Sequence, residues 1–243
     1  MQGADKRIIE TCFSPALFEP ERCTDSVVVV IDILRATSSI CTAIENGAAG
    51  IIPVGEVEEA RRYKKRGYLL AAERDGYVLD FADFGNSPFN FTSERVKGKT
   101  IAYSTTNGTY IINLASQAAR VVVGSFLNIS ALTTWIVREN RDVLLFCAGW
   151  KNRFNLEDTI CAGAFAERLL ETSRFDTICD STLAALDLWS MAKHDLRGYI
   201  EKVAQRTRLR DKGLDDCIDF CLSVDYTEKI PVMKNGILVE NNL

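Results

Sequence analysis

Short apolar runs alternate with amphipathic segments along most of the chain. Residues 27–33 (VVVVIDI) hold six β-branched residues and one polar one, Asp32, the pattern of a strand buried on both faces. Residues 36–46 follow as a helix, with Ile40, Ala43 and Ile44 on one face and Gly47 as a stop. A strand at 51–54, a charged helix over 56–66 ended by Gly67, and a strand at 68–72 continue the alternation. Residues 75–99 read as irregular, broken by Gly76, Gly85, Pro88 and Gly98. Then come a strand at 100–104, a helix from about Thr109, a strand at 121–124 and a helix over 129–139 with Asn128 as N-cap. A strand at 143–147 and a helix from about Asp158 close the series. Beyond about Thr177 the pattern is mainly helical until a short strand at 237–239. This order predicts an α/β fold: three α/β/α layers, a largely parallel sheet and a mainly helical C-terminal part. The 243 residues suit one unit spanning 1–243 or two lobes, and no boundary between lobes is legible.

Composition narrows the function classes. Hydrophobic residues make up 47% and charged residues 26%, an ordinary globular balance. No run of eighteen apolar residues occurs and the first residues, MQGADKRIIE, lack a signal-peptide core, so no membrane partner and a cytoplasmic location are expected. A net charge of −4 weighs against a nucleic-acid partner but allows a small anionic substrate, for which a few local cations suffice. The eight cysteines form no CxxC pair; Cys217 and Cys221, at helical spacing among apolar residues, read as buried thiols. A single histidine, His194, speaks against histidine-phosphoenzyme or histidine-rich metal chemistry. Nothing in the pattern decides between a monomer and a homo-oligomer.

The candidate chemistry gathers where strands run out. Ligands of such sheets collect beyond the carboxyl ends of the strands. Here those ends carry Asp32-Ile33-Leu34-Arg35-Ala36-Thr37, then Ser104-Thr105-Thr106-Asn107-Gly108-Thr109, then Asn155-Leu156-Glu157-Asp158. Hydroxyls, amides and free helix N–H groups suit an anion, phosphate above all, and Arg35 can add a bidentate contact. The same residue types also cap helices. Asp32, inside an apolar run, needs a partner: either Arg35 or a metal ion. Glu157 and Asp158 fit an acidic first helical turn as well as they fit metal ligands. There is no GxxxxGK[ST] loop, no GxGxxG after a strand, and no second aspartate in Asp32-Ile33-Leu34. Cys147 to Arg153 satisfies Cys-x5-Arg, which makes a thiol phosphatase a second reading. However, no histidine precedes the cysteine, and the helix signal comes late, near Glu157.

Taken together and in order, five stretches resemble the 2-phosphosulfolactate phosphatase family. They are residues 29–37 (VVIDILRAT), 72–74 (AER), 85–88 (GNSP), 105–109 (TTNGT) and 156–159 (LEDT), with weaker similarity through Asp180-Ser181, Cys221, Asp225 and Pro231. The resemblance implies an α/β fold, Mg2+ as cofactor, and hydrolysis of 2-phospho-3-sulfolactate to 3-sulfolactate and phosphate, a step of coenzyme M synthesis in organisms that make it. The chain departs from the family after Ala148-Gly149, where Trp150-Lys151-Asn152-Arg153-Phe154 replaces a smaller loop, and at Asp75-Gly76, where a glycine pair is common. On this reading Asp32, Glu157 and Asp158 are the metal candidates, and Asp32 either holds metal or attacks phosphorus. Thr105, Thr106, Asn107 and Thr109 would hold the phosphate, and Thr37, Asn86 and Ser87 would contact the substrate. Arg35 would balance transition-state charge, with Glu73 orienting water or supporting Arg35. Arg35, Arg74, Lys151 and Arg153 lie on or next to these loops and would serve a second negative group on the substrate, with a solvated surface charge as the alternative for each and the favoured one for Lys151 and Arg153. A non-catalytic binder of phosphorylated or sulfonated acids is the third reading.

Overall fold

The computed structural model describes residues 6–241. The chain starts with β1 (Arg7–Cys12), β2 (Val27–Ile31), α1 (Ala36–Glu45), β3 (Gly50–Pro53), α2 (Val57–Lys65), β4 (Leu69–Arg74) and β5 (Tyr77–Val78). It continues through α3 (Ser93–Val96), β6 (Thr100–Ser104), α4 (Gly108–Leu114), β7 (Arg120–Gly124), α5 (Ile129–Glu139) and β8 (Val143–Cys147). The remainder is α6 (Leu156–Glu171), β9 (Phe175–Asp176), α7 (Asp180–Ala192), α8 (Leu196–Ile200), α9 (Ala204–Arg210), α10 (Ile218–Cys221), β10 (Pro231–Lys234) and β11 (Ile237–Glu240).

Among the described residues these strands form one sheet in the order β5-β4-β6-β3-β11-β10-β7-β2-β8-β1-β9. It contains two parallel blocks, β4-β6-β3 and β7-β2-β8-β1-β9. The β10–β11 hairpin lies between them and is antiparallel to both neighbours. Three antiparallel steps therefore set the two blocks in opposite directions. A twist of about 20–25° per strand accumulates to roughly 100–125° over the five steps from β6 to β2. Carboxyl ends that would point apart in a flat sheet are thereby brought toward one another.

Both faces are covered, as a strand of uninterrupted valines requires. Val27, Val29 and Ile31 face a core shared with α5, α6 and the C-terminal helices. Val28 and Val30 face α1 and α4, and a smaller cluster around Ala60 seats α2. α1 leaves β2 and crosses toward β3, while α4 leaves β6 and crosses toward β7. The two helices lie against each other, with α1 on β7 and β10 and α4 on β2 and β3. A Cβ at Gly108 would lie 2.5 Å from the Ala36 Cβ and 2.9 Å from an Asp32 oxygen, so only glycine permits this meeting of helix N-termini. No helix among the described residues is long and apolar enough to cross a membrane.

The strand expected at 237–239 is present as β11 and is half of the hairpin that joins the two blocks. Other expectations change. β1 and β9 extend the sheet beyond the elements read from pattern, because Arg7 and Glu10 interrupt the apolar run of β1. Residues 75–99 contain β5 and α3, and Asp75 and Gly76, both at positive φ (51° and 87°), form the two-residue turn that pairs β5 with β4. Asn128 stands at the N-cap of α5 as expected, but its side chain serves the preceding turn, its Oδ1 accepting from the Ser125 N–H at 3.1 Å.

Candidate active site

Ile31 is the last residue of β2, and Asp32 opens a loop bent back on itself. The Asp32 carbonyl accepts from the Thr37 N–H at 2.8 Å, and the Asp32 N–H donates to the Thr37 hydroxyl at 3.2 Å. Thr37 is wholly buried and acts as this brace. The Asp32 side chain reaches a pocket that Arg35, Glu73, Asn86, Thr105, Thr106 and Asn107 also line. Among the described residues only a long contact, 3.4 Å from the Ala36 N–H, supports its carboxylate. Behind it stand Glu157 and Asp158, both buried in the first turn of α6. Asp158 accepts from the Ile33 N–H at 2.9 Å and from the Asn155 amide at 2.7 Å, which also donates to Glu157 at 3.0 Å. Burial, followed by the neighbouring Asp158 charge, raises Asp32 well above the usual carboxylate range. Burial and Glu157 do the same to Asp158, and burial pushes Glu157 up to about 7.

Such a group calls for a cation. Among the described residues no three Asp, Glu, His or Cys side chains converge closely enough to chelate a metal by themselves. The donor set nevertheless suits Mg2+, which takes oxygen ligands and completes its shell with waters and substrate phosphate around one or two carboxylates. Glu157 Oε2 and Asn155 Oδ1 are buried oxygens without a hydrogen-bond partner among the described residues, beside the Asp32 and Asp158 carboxylates.

The threonine loop is built on its own hydroxyls. The Thr105 N–H donates to Thr109 Oγ1 at 3.1 Å, and the Thr109 N–H donates to Thr105 Oγ1 at 3.2 Å, closing the first turn of α4. Glu73 clamps the loop. Its Oε1 accepts from the Thr106 N–H at 2.7 Å and its Oε2 from the Gly76 N–H at 2.6 Å, with the Thr106 hydroxyl between them. Glu73 therefore joins two pocket loops. Asn86 is held by the Tyr103 hydroxyl. Ser87 Oγ is buried without a hydrogen-bond partner among the described residues, and Ser87, Thr37, Thr109, Glu157 and Asp158 stand behind the pocket wall rather than in its lining.

The predicted cations divide. Arg35 lines the pocket, anchored through Nη1 to the Leu214 carbonyl at 3.1 Å and to Cys217 Sγ at 3.7 Å. Arg74 turns away onto the carbonyls of Glu73 (2.7 Å) and Gly55 (2.8 Å) and the Ser104 hydroxyl (2.9 Å). Lys151 pairs with Asp75 at 2.8 Å, and Arg153 is exposed. Three residues absent from the sequence reading take their place: Gln205, Arg208 and Lys212, in and just after α9. Their only local signal is the basic run at 206–212, far along the chain from every strand-end loop.

The Cys-x5-Arg loop is not a phosphate cradle. Lys151 and Asn152, at φ 50° and 63°, make a tight turn in which Trp150 and Arg153 pair through their backbones. Cys147 is wholly buried at the end of β8, and burial together with Asp158 raises its thiol well above the usual range, which disfavours the nucleophilic thiolate.

The sequence profile of a family described as 2-phosphosulpholactate phosphatase matches residues 12–236. A protein of Caldanaerobacter subterraneus subsp. tengcongensis named "Probable 2-phosphosulfolactate phosphatase" is 39% identical over 215 residues, covering 87% of this chain and 89% of its own. A Thermotoga maritima protein of the same name is 37% identical over 211 residues (87% and 90%), and one from Clostridium acetobutylicum is 33% identical over 231 residues (94% and 98%). With the profile and these relatives spanning nearly the whole chain, the protein belongs to the 2-phosphosulpholactate phosphatase family.

Proposed function

We propose that the protein is a Mg2+-dependent phosphatase that hydrolyses 2-phospho-3-sulfolactate, or a related phosphorylated 2-hydroxy acid, to the hydroxy acid and phosphate. Family membership and the names of the relatives support the substrate class. The observation that carries the reading is the Asp32 carboxylate, thinly hydrogen-bonded, at the meeting of two helix N-termini in a pocket whose wall includes arginine. Helix N-termini favour an anion, and the guanidinium of Arg35 offsets charge that grows on phosphoryl oxygens during transfer. Mg2+, held by Asp32 with Glu157 or Asp158 and completed by waters and the substrate phosphate, would polarise the phosphoester and keep these carboxylates ionised. On this reading the Asp32 carboxylate, on the pocket lining, serves as nucleophile or orients the water. Glu73 holds the threonine loop and the Asp75-Gly76 turn at a fixed separation, and Asn86 is set toward the substrate by Tyr103. Eight free thiols suit a reducing, cytoplasmic setting.

The test is phosphate release from phospholactate, phosphosulfolactate and isopropyl phosphate, with Mg2+ and after chelation. Turnover that needs Mg2+ and prefers the acidic esters is expected. Full turnover after exhaustive chelation would remove the metal, and ligand binding without any phosphate release would leave a binding protein.

A further inference from the structure

α9 carries three arginines, and their partners differ. Arg206 and Arg210, one turn apart, face acids: Arg206 is held by Asp215 and by Glu201 at 3.3 Å, and Arg210 by Glu201. These ion pairs fasten α9 to the segments on either side of it. Arg208, midway between them, falls on the opposite side of the helix. There it enters the pocket and, among the described residues, forms no ion pair. Its guanidinium carbon lies 4.5 Å from the centre of the Trp150 ring, and its Nε donates to Gln205 Oε1 at 2.7 Å. Gln205 in turn donates to the Leu34 carbonyl at 3.0 Å, immediately before Arg35. Lys212 is less free, since its ammonium donates to the Asp75 carbonyl.

Glu157 is the acid whose charge reaches Arg208, yet the two do not pair directly. A guanidinium fixed on two sides and left without a direct carboxylate contact is a prepared oxyanion receptor. The other pocket arginine, Arg35, stands beside Asp32, next to the proposed phosphate position. We propose that Arg208, held by Trp150 and Gln205, is the specificity residue that grips a second acidic group of the substrate, a carboxylate or sulfonate separate from the phosphate. The identity of the ester rests on the phosphatase reading above. The assignment to Arg208 replaces Arg74, which is spent on carbonyls and Ser104, Lys151, which pairs with Asp75, and Arg153, which is exposed.

The test uses Arg208→Met, which keeps length and loses charge, with Arg208→Lys and Trp150→Leu alongside, each checked for an unchanged far-UV spectrum. Three esters separate the chemistry: phospholactate carries a carboxylate, phosphorylated isethionate a sulfonate, and isopropyl phosphate neither. In Arg208→Met the ratio of kcat/KM for an acidic ester to that for isopropyl phosphate should fall roughly ten- to a hundredfold. Arg208→Lys should recover part of it, and Trp150→Leu should lose a smaller part. The ester whose ratio falls further identifies the group that Arg208 grips. Equal losses on all three esters, or none, would overturn the assignment. Calorimetric binding of unphosphorylated 3-sulfolactate to wild type and Arg208→Met gives a readout without turnover. Arg208-dependent binding by a protein that releases no phosphate would sink the phosphatase reading and keep this one. Equal binding by both proteins would sink this one alone.

Discussion

A carboxylate pressed against two others away from water gains from losing its charge. Asp32→Asn keeps the shape and removes one of three neighbouring negative charges, so it should separate activity from stability. Phosphate release should fall at least about a hundredfold, while the melting temperature without metal should rise, as at other sites where function is kept at a cost to stability. A variant that is both slow and less stable would return Asp32 to a structural role. Glu157 gives the pH dependence. Its proton leaves near the model-peptide value of 4.5 in the unfolded chain but at about 7 in the folded protein. Across that window the folded state holds the extra proton, so metal-free stability should fall as pH rises, with Asp32 and Asp158 shifted in the same direction. Added Mg2+ should therefore raise the melting temperature more at about pH 8 than at about pH 5, and a chelated protein whose melting point ignores pH would contradict this. Asp32 stood out in the sequence because one polar residue in an apolar run has few innocent explanations. Arg208 did not, because only the tertiary fold brings α9 over residues 32–35. Thr37 and Thr109 look like substrate ligands by type, yet their hydroxyls are occupied by nearby backbone N–H groups.

At the scale of elements, the site depends on how closely α1 and α4 approach. Gly108→Ala should force them apart, costing about 1–3 kcal/mol as overpacking does and lowering kcat/KM through displacement of Asp32. Urea denaturation and turnover check the two effects together, and unchanged values in both would mean that the crossing has slack. The strands flanking the pocket were legible in the sequence: the run at 100–104 and the run at 143–147 match β6 and β8 at both ends. Continuous burial gave them continuous apolar sequence. The Asp75-Gly76 turn was written in the sequence too, as the dipeptide that favours a two-residue hairpin, but β5 beyond it has only two residues, both exposed, and no apolar pattern to mark it. The tight turn at residues 150–153 was hidden differently, since neither Lys151 nor Asn152 is glycine although both take positive φ.

At the scale of the whole molecule, the β10–β11 hairpin decides whether the two parallel blocks behave as one. Leu238 is wholly buried in the core shared with α1 and α4. Leu238→Ala should cost about 2–5 kcal/mol and shift both blocks together. All three tryptophans (Trp135, Trp150 and Trp189) belong to the β7–β9 side, so their fluorescence reports that block while far-UV dichroism reports the sum. Coincident transitions for both signals are expected in wild type and variant; a dichroism shift with unmoved fluorescence would mean that the blocks unfold independently. Nothing in the apolar run at 237–239 announced its central place, because pairing with residues nearly 200 positions earlier is a property of topology rather than of local pattern. That placement also has a consequence in time. A ribosome delivers β3 and β7 long before residues 231–240, and until those residues emerge each block has an open inner edge with unpaired backbone groups. Neither block can complete the sheet during most of synthesis, so the nascent chain passes through a late, adhesive stage in which chaperones have the most to do.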